Sequence, residues 1–402
     1  MVAPATLVAR VYIDADNNIK EQLNEMNLIL YAVPFFLLAI AFELAWGWHT
    51  GNRTYRLNDT VSSLMLGNLS QARKFIMIGV GGAVYQATTA YFSLSLWDAT
   101  APLTWIVAFV LYDFCYYWLH RLGHERQILW AAHVAHHQSE EYNLSTALRQ
   151  TSSGFLLGWV FYVPMFMLGI PAEVVVTVGA ANLIYQFWVH TRYIPSLGWY
   201  EWFFVSPSNH RVHHAQNDQY MDRNYGGVFI LWDRLFGTYQ RELTEAPCIY
   251  GIRGPIESWN PLVALTHVYR DMTNDMLRTG SWSSRFQVLT ARTGWQPADV
   301  VKTHPRLKND LSVFQKYDPV VGGWIKFYAA LNLVLMTGLS LFGQVQIMST
   351  GSALGWQLIG LMLWTGVSIA WALEGKYGRA FWLLDVGRMV MLGVFSFKVF
   401  VV

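Results

Sequence analysis

Nine of the chain's twelve histidines fall between His120 and His214, and their spacing is that of metal ligands. His120 and His124 in HRLGH stand four apart. His133, His136 and His137 in HVAHH, and His210, His213 and His214 in HRVHH, stand three and four apart, with His190 isolated between them in QFWVHTRYI. On a helix, residues three or four apart have Cβ atoms about 5–6 Å from each other, so each cluster puts two or three imidazoles on one face. One divalent ion takes about four to six ligands, so nine histidines suggest two ions. Imidazole ligation suits iron, zinc, copper or nickel, and ligand type does not choose among them. Neither HRLGH nor HVAHH supplies the glutamate of a zinc-protease HExxH. His49, His267 and His304 are solitary and read as interfacial residues outside the site.

The elements that must position these side chains are membrane helices. Hydrophobic residues make up 53% of the 402 residues and charged residues 13%, about half the charged share of a soluble domain. Nineteen Trp and 21 Tyr, many at the ends of apolar runs, suit interfacial aromatic belts. The fold class expected is an all-α integral membrane protein, a multi-span bundle carrying a cytoplasm-facing, histidine-rich helical cap. A formal net charge of +2 gives no reason to expect a nucleic-acid partner. The two cysteines, Cys115 and Cys248, form no metal-binding pattern, and a disulfide is not expected. The first 27 residues lack the short apolar core and cleavage site of a removable signal peptide.

Spans are expected over 28–46, 75–96, 101–119, 154–170, 172–189, 324–342, 354–373 and 381–402. Asn58, Asp59 or Thr60 can cap the helix that follows the first connector. The crossings 154–170 and 172–189, broken at Gly169-Ile170-Pro171, return the chain to the side it left. That places His120–His137, His190 and His210–His214 at one membrane face. The polar stretch 191–321 holds 14 of the 28 Lys and Arg, which leans cytoplasmic. Within it, 260–279 is amphipathic and suited to the interface. Three regions result: N-terminal spans over 1–100, a catalytic region with its polar cap over 101–320, and C-terminal spans over 321–402.

Asp113 lies inside a span, where a carboxylate is costly unless paired, and shares a helical face with Tyr116, Tyr117 and His120. It either bonds a neighbouring helix or orients a ligand histidine. Asn143, Asp222 and Asn224, with Glu140 and Asp218, are further candidates for that orienting role, and each also suits a plain loop or cap. Gly226 and Gly227 are expected to permit a tight turn.

The motifs HRLGH, HVAHH and HRVHH match the HxxxH, HxxHH, HxxHH pattern, and the chain resembles the membrane fatty acid hydroxylase and sterol desaturase superfamily. Within it, LWAAHVAHHQSEEYNLSTALRQ, NHRVHHAQNDQYMDRNYGGVFILWDRLFGTY and YGIRGPIESWNP are similar to the alkylglycerol monooxygenase branch. The resemblance covers about residues 55–300. Arg192 departs from it, standing where an acid is expected. The resemblance implies two iron ions held by the nine histidines, dioxygen activation and hydroxylation of a lipid C–H bond. In the alkylglycerol branch this is the ether-linked carbon, giving fatty aldehyde and glycerol, with tetrahydrobiopterin as reductant. No fused haem, flavin or iron–sulfur domain is visible, so electrons are expected from a separate donor or pterin. The other readings are a hydroxylase or desaturase of a sterol, fatty acyl or aminolipid chain, and a haem protein or metal transporter. The expected location is a bacterial inner membrane or endoplasmic reticulum, with the site facing the cytoplasm.

Overall fold

The computed structural model describes residues 28–72, 74–94, 96–151, 153–350 and 352–401, so the signal-peptide expectation falls outside the described residues. These residues are helical, with isolated bridges at Phe204–Phe229 and Ala215–Tyr250 and no strand among them. The helices are α1 (Leu28–Thr50), α2 (Leu57–Ala72), α3 (Lys74–Phe92), α4 (Pro102–Glu125), α5 (Gln127–Ala131), α6 (Val134–His137), α7 (Leu144–Ala147), α8 (Val163–Met167) and α9 (Ala172–Trp188). They continue as α10 (Pro207–His213), α11 (Leu231–Leu235), α12 (Pro261–Arg278), α13 (Trp282–Thr290), α14 (Ala298–Thr303), α15 (Gly323–Thr350), α16 (Ser352–Leu373) and α17 (Arg379–Val401).

Five of these are long and apolar enough to cross a membrane: α1, α4, α15, α16 and α17. An integral membrane protein follows from them. The expected crossing over 154–170 is not a continuous helix. It breaks into 3₁₀ turns at Gly154–Leu156 and Gly158–Tyr162 before the five-residue α8. Two glycines and Pro164, which lacks an amide hydrogen, explain why the α-helical ladder does not propagate. The turn at Gly169, with φ +76°, does form where expected and leads into α9, at 17 residues shorter than the five spans.

The histidines nevertheless share one end of the bundle, and the remaining contacts show why. The C-terminal part of α1 reaches the cap through Glu43, whose Oε1 accepts from Thr191 Oγ1 at 2.5 Å and whose Oε2 accepts from Leu144 N at 2.8 Å. Helix α2 begins at Leu57, so Asn58 and Asp59 lie in its first turn instead of capping it. Asp59 accepts from Ser139 Oγ at 2.5 Å and Glu140 N at 3.0 Å, and Asn58 Nδ2 donates to Asp318 Oδ1 at 2.8 Å. Glu374, at the end of α16, accepts from Trp259 N at 2.6 Å. The cap is thus tied to alternate helix ends.

Behind it, α15, α16 and α2 pack around Met65, Leu66, Ala329, Met336, Ile369 and Leu373, all buried. The amphipathic stretch forms α12, capped by Asn260 Oδ1, which accepts from Leu262 N at 2.9 Å.

Candidate metal centre

The nine histidines converge in two adjoining groups. His120, His124, His133, His137 and His213 form one, and His136, His190, His210 and His214 form the other; within each, the ligand nitrogens lie within 4.8 Å of one another. Each HxxHH motif is divided between the groups. His133 and His137 enter the five-histidine group while His136 enters the other; His210 and His214 enter the four-histidine group while His213 crosses into the first. Adjacent residues on a helix point about 100° apart, so the doubled histidine faces both groups at once. The expectation that a whole cluster shares one face is corrected accordingly. The groups touch: the His137 and His214 rings stack with centroids 4.2 Å apart.

Four rings are held from behind by backbone carbonyls. His120 Nδ1 donates to Tyr225 O at 2.8 Å, His136 Nδ1 to Arg149 O at 2.8 Å, His190 Nδ1 to Gln186 O at 2.7 Å and His213 Nδ1 to Arg223 O at 3.0 Å. A carbonyl can only accept, so the hydrogen sits on Nδ1 and the Nε2 lone pair faces inward. The Nε2 atoms of His120, His124, His213 and His214 are buried without a hydrogen-bond partner. Burial pushes the pKa of His133, His137, His190, His210, His213 and His214 well below the ordinary value, helped by neighbouring histidines, and that of His136 to about 4. Neutral imidazoles with inward lone pairs are the donor set that a divalent cation requires. The histidine groups fit iron.

The backing carbonyls are themselves anchored, by residues that spacing did not reveal. Asp233, fully buried, accepts from Tyr225 N at 2.7 Å, Gly226 N at 2.8 Å and Thr238 Oγ1 at 2.7 Å, fixing the loop whose Tyr225 carbonyl holds His120. Arg149, also buried, donates from Nε to Ala135 O at 2.7 Å and from Nη2 to Gln138 Oε1 at 3.0 Å, clamping α6 from both ends. Burial lowers its pKa to about 10. Both lie in the stretches that carry the resemblance, within WDRLFGTY and STALRQ, which was the only signal for them.

Asp113 orients no histidine directly. Its Oδ1 accepts from Asn182 Nδ2 at 2.6 Å and Val228 N at 2.8 Å, and its Oδ2 from Phe229 N at 3.0 Å and Trp232 Nε1 at 2.9 Å. It bonds the neighbouring helix α9 through Asn182, the first of the two roles open to it, and also satisfies the backbone at Val228 and Phe229. Asn143 caps α7, accepting from Ser145 N at 3.0 Å, and donates to Thr54 O at 2.7 Å. Asn224, with φ +55°, donates to Asn209 O and Gln240 O at 3.0 and 2.7 Å, tying its loop to α10. Asp222 is a left-handed turn residue with φ +58°, and Asp218 pairs with Arg253 at the surface. Glu140 accepts from Tyr317 N at 2.6 Å.

Gly226 and Gly227 are not the left-handed residues of the turn. They allow close approach: a Cβ at Gly227 would sit 2.8 Å from Asp113 Oδ1 and from the Tyr116 ring. Arg192 is half-exposed, 3.9 Å from Glu141. His49, His267 and His304 stand outside both groups, and Cys115 and Cys248 are free thiols.

The fatty acid hydroxylase domain model matches residues 105–238, which hold all nine histidines. Alkylglycerol monooxygenase of Xenopus tropicalis is 36% identical over 309 residues, covering 76% of this chain and 68% of the frog protein. The chain belongs to the alkylglycerol monooxygenase family. The human member is 37% identical over 267 residues, covering 66% of this chain and 59% of that protein. Outside the family, ornithine lipid hydroxylase OlsE of Rhizobium tropici is 29% identical over 235 residues, or 56% of this chain and 68% of that one. No solved structure matches.

Proposed function

We propose that this chain is a membrane monooxygenase that uses two iron ions and dioxygen to hydroxylate the ether-linked carbon of an alkylglycerol lipid. The observation that carries the reading is the partition of nine histidines, eight of them buried, into two adjoining groups in a chain of this family. In this reading His120, His124, His133, His137 and His213 hold one ion, and His136, His190, His210 and His214 hold the other. When bound, the ions supply dioxygen activation.

The chain's own residues do the rest. Backbone carbonyls of Tyr225, Arg149, Gln186 and Arg223 fix the ring tautomers. Burial of both groups excludes bulk water and keeps the imidazoles unprotonated at neutral pH. Asp113, Asn143, Asp222 and Asn224 hold the loops and caps that carry these carbonyls and helices. The net change consumes lipid, one dioxygen, two electrons and two protons, and yields hydroxylated lipid and water. A hydroxyl on the ether-linked carbon makes a hemiacetal, which breaks to a fatty aldehyde and glycerol. The electrons come from a separate donor, for which tetrahydrobiopterin is our choice, and the histidine face is turned toward the cytoplasm.

The test is conversion of a chain-labelled alkylglycerol by purified protein with reduced pterin. Labelled fatty aldehyde, dependent on oxygen and pterin, is expected. A labelled product hydroxylated elsewhere on the chain would instead support the fatty acyl or aminolipid hydroxylase reading, to which the similarity with ornithine lipid hydroxylase lends weight. Metal analysis giving fewer than about two ions per chain would count against the two-ion site.

A further inference from the structure

We propose that α12 and α13 form a lipid-docking hairpin seated in the headgroup layer of the leaflet nearest the histidine groups. The hairpin leaves the bundle beside a spanning helix. A Cβ placed on Gly366 of α16 would lie 3.1 Å from Pro261 Cγ, at the first turn of α12. Gly366 is seven residues inside the end of α16 at Leu373, about 10 Å at 1.5 Å per residue. With 22 residues, about 33 Å, α16 ends near the hydrocarbon boundary, so the first turn of α12 lies within the roughly 5–10 Å to which an interfacial helix sinks its apolar face.

The other end of the hairpin stands at the mouth of α4. Gln127 N donates to Ala291 O at 3.1 Å, Gln127 Nε2 donates to Val288 O at 3.2 Å and to Trp295 O at 3.0 Å, and Thr293 Oγ1 donates to His124 O. Helix α4 has 24 residues, about 36 Å against a hydrocarbon layer of about 30 Å, so its histidine-bearing end emerges at the same boundary.

One face of the hairpin is filled, with Met272 and Val288 packed against Ala131 of α5. The face turned away exposes three large apolar side chains, Leu277, Trp282 and Phe286, at 74%, 71% and 69%, with Arg270 and Arg278 exposed beside them on α12. Trp282 and Phe286 stand four apart on α13, and the Arg285 guanidinium lies 4.4 Å over the Trp282 ring. Aromatic anchors with an arginine alongside suit the boundary layer, where rings sit among glycerol groups and a guanidinium meets phosphodiesters. A soluble partner fits poorly, because the patch is continuous with helices whose outer faces meet acyl chains. Lipid held there borders the five-histidine group, since the same segment is bonded to the backbone at His124 and Gln127.

The test uses full-length protein carrying Cys115→Ser and Cys248→Ser, one copy per nanodisc of phosphatidylcholine with or without phosphatidylglycerol. Nitroxide labels are placed at Leu277→Cys and Phe286→Cys, with exposed Lys308→Cys as reference. The first two are expected to meet lipid-soluble oxygen severalfold more often, relative to water-soluble chromium oxalate, than the reference. Adding Trp282→Glu and Phe286→Glu to the Leu277→Cys protein is expected to return its label toward the reference, with helix content by circular dichroism unchanged. Equal ratios at all three sites would overturn the proposal. So would shielding from both reagents only when two copies share a disc, which would mean a contact between copies.

Discussion

Two regions bury polar side chains, and they do so in opposite ways. In the C-terminal bundle, Arg388 is fully buried yet every direction is answered: Nε donates to Asp385 Oδ1 at 2.6 Å, Nη1 to Thr365 Oγ1 at 3.2 Å, and Nη2 to Asn332 Oδ1 at 2.7 Å and Tyr328 OH at 3.3 Å. In the cap, eight of the nine histidines are also buried, but only four Nδ1 atoms are tied outward to carbonyls, while the Nε2 atoms of His120, His124, His213 and His214 are left without partners. A buried polar group left unpaired costs about 1–3 kcal/mol. A fold therefore retains several in one place only when a ligand satisfies them. The satisfied network is a clamp across α15, α16 and α17; the unsatisfied one is the donor arrangement that the proposed metal centre needs.

The contrast can be broken most sharply in the cap. His136→Ala removes a member of the four-histidine group and His213→Ala one of the five; each is expected to drop bound metal and to abolish lipid oxidation while the protein still purifies from detergent as a monodisperse species. Retention of both metals in either variant would remove the ground for separating the two regions.

Arg388→Ala should act the other way, on stability and not on metal. It strands Asp385 in the bundle, a loss of about 3–5 kcal/mol, whereas Arg388→Met combined with Asp385→Leu is expected to lose much less because neither charge is left alone. Thermal unfolding in detergent reads the difference, and metal content in the surviving folded fraction should be unchanged.

Asp233→Asn lies between these cases, because it changes no ligand. Asparagine keeps one acceptor oxygen but cannot receive from both Tyr225 N and Gly226 N as the carboxylate does. The His120 backing loosens, and a loss of about 10–100-fold in metal affinity at the five-histidine group alone is expected. Titration with a chelator should then show one weakened ion and one unchanged.

The smallest effect concerns Glu140, whose pKa burial raises to about 7 against the help of Tyr317 N and Arg56. Its folded pKa lies above the unfolded value, so the protonated form is favoured in the fold. Its contribution to stability is complete below about pH 4.5 and is lost as pH rises through about 7. Glu140→Gln should flatten the dependence of the unfolding temperature on pH between these values; an unchanged slope would assign the dependence elsewhere.

Much of the site was legible in the order of residues along the chain. Ligand identity and the i, i+4 pairs 120/124, 133/137 and 210/214 are local properties of a helix, and the spacing alone puts each pair in one group. The apolar spans at α1, α4, α15, α16 and α17 were legible for the same reason, because about 20 apolar residues in a row need no partner to be recognised. The break at 154–167 was not, because an apolar run scores as a span whether or not its glycines and Pro164 let the helix propagate.

The donor set and the helices that carry it are therefore written in the linear chain. How the donors are shared belongs to the folded molecule. His136 and His213 each leave their own motif for the other group, and Asp233 reaches a histidine 113 positions away only through the Tyr225 carbonyl. The physical reason is the same in both cases. A helix sets the direction of each ring, but which rings meet depends on how α4, α6, α9 and α10 pack, and packing is a property of the whole chain.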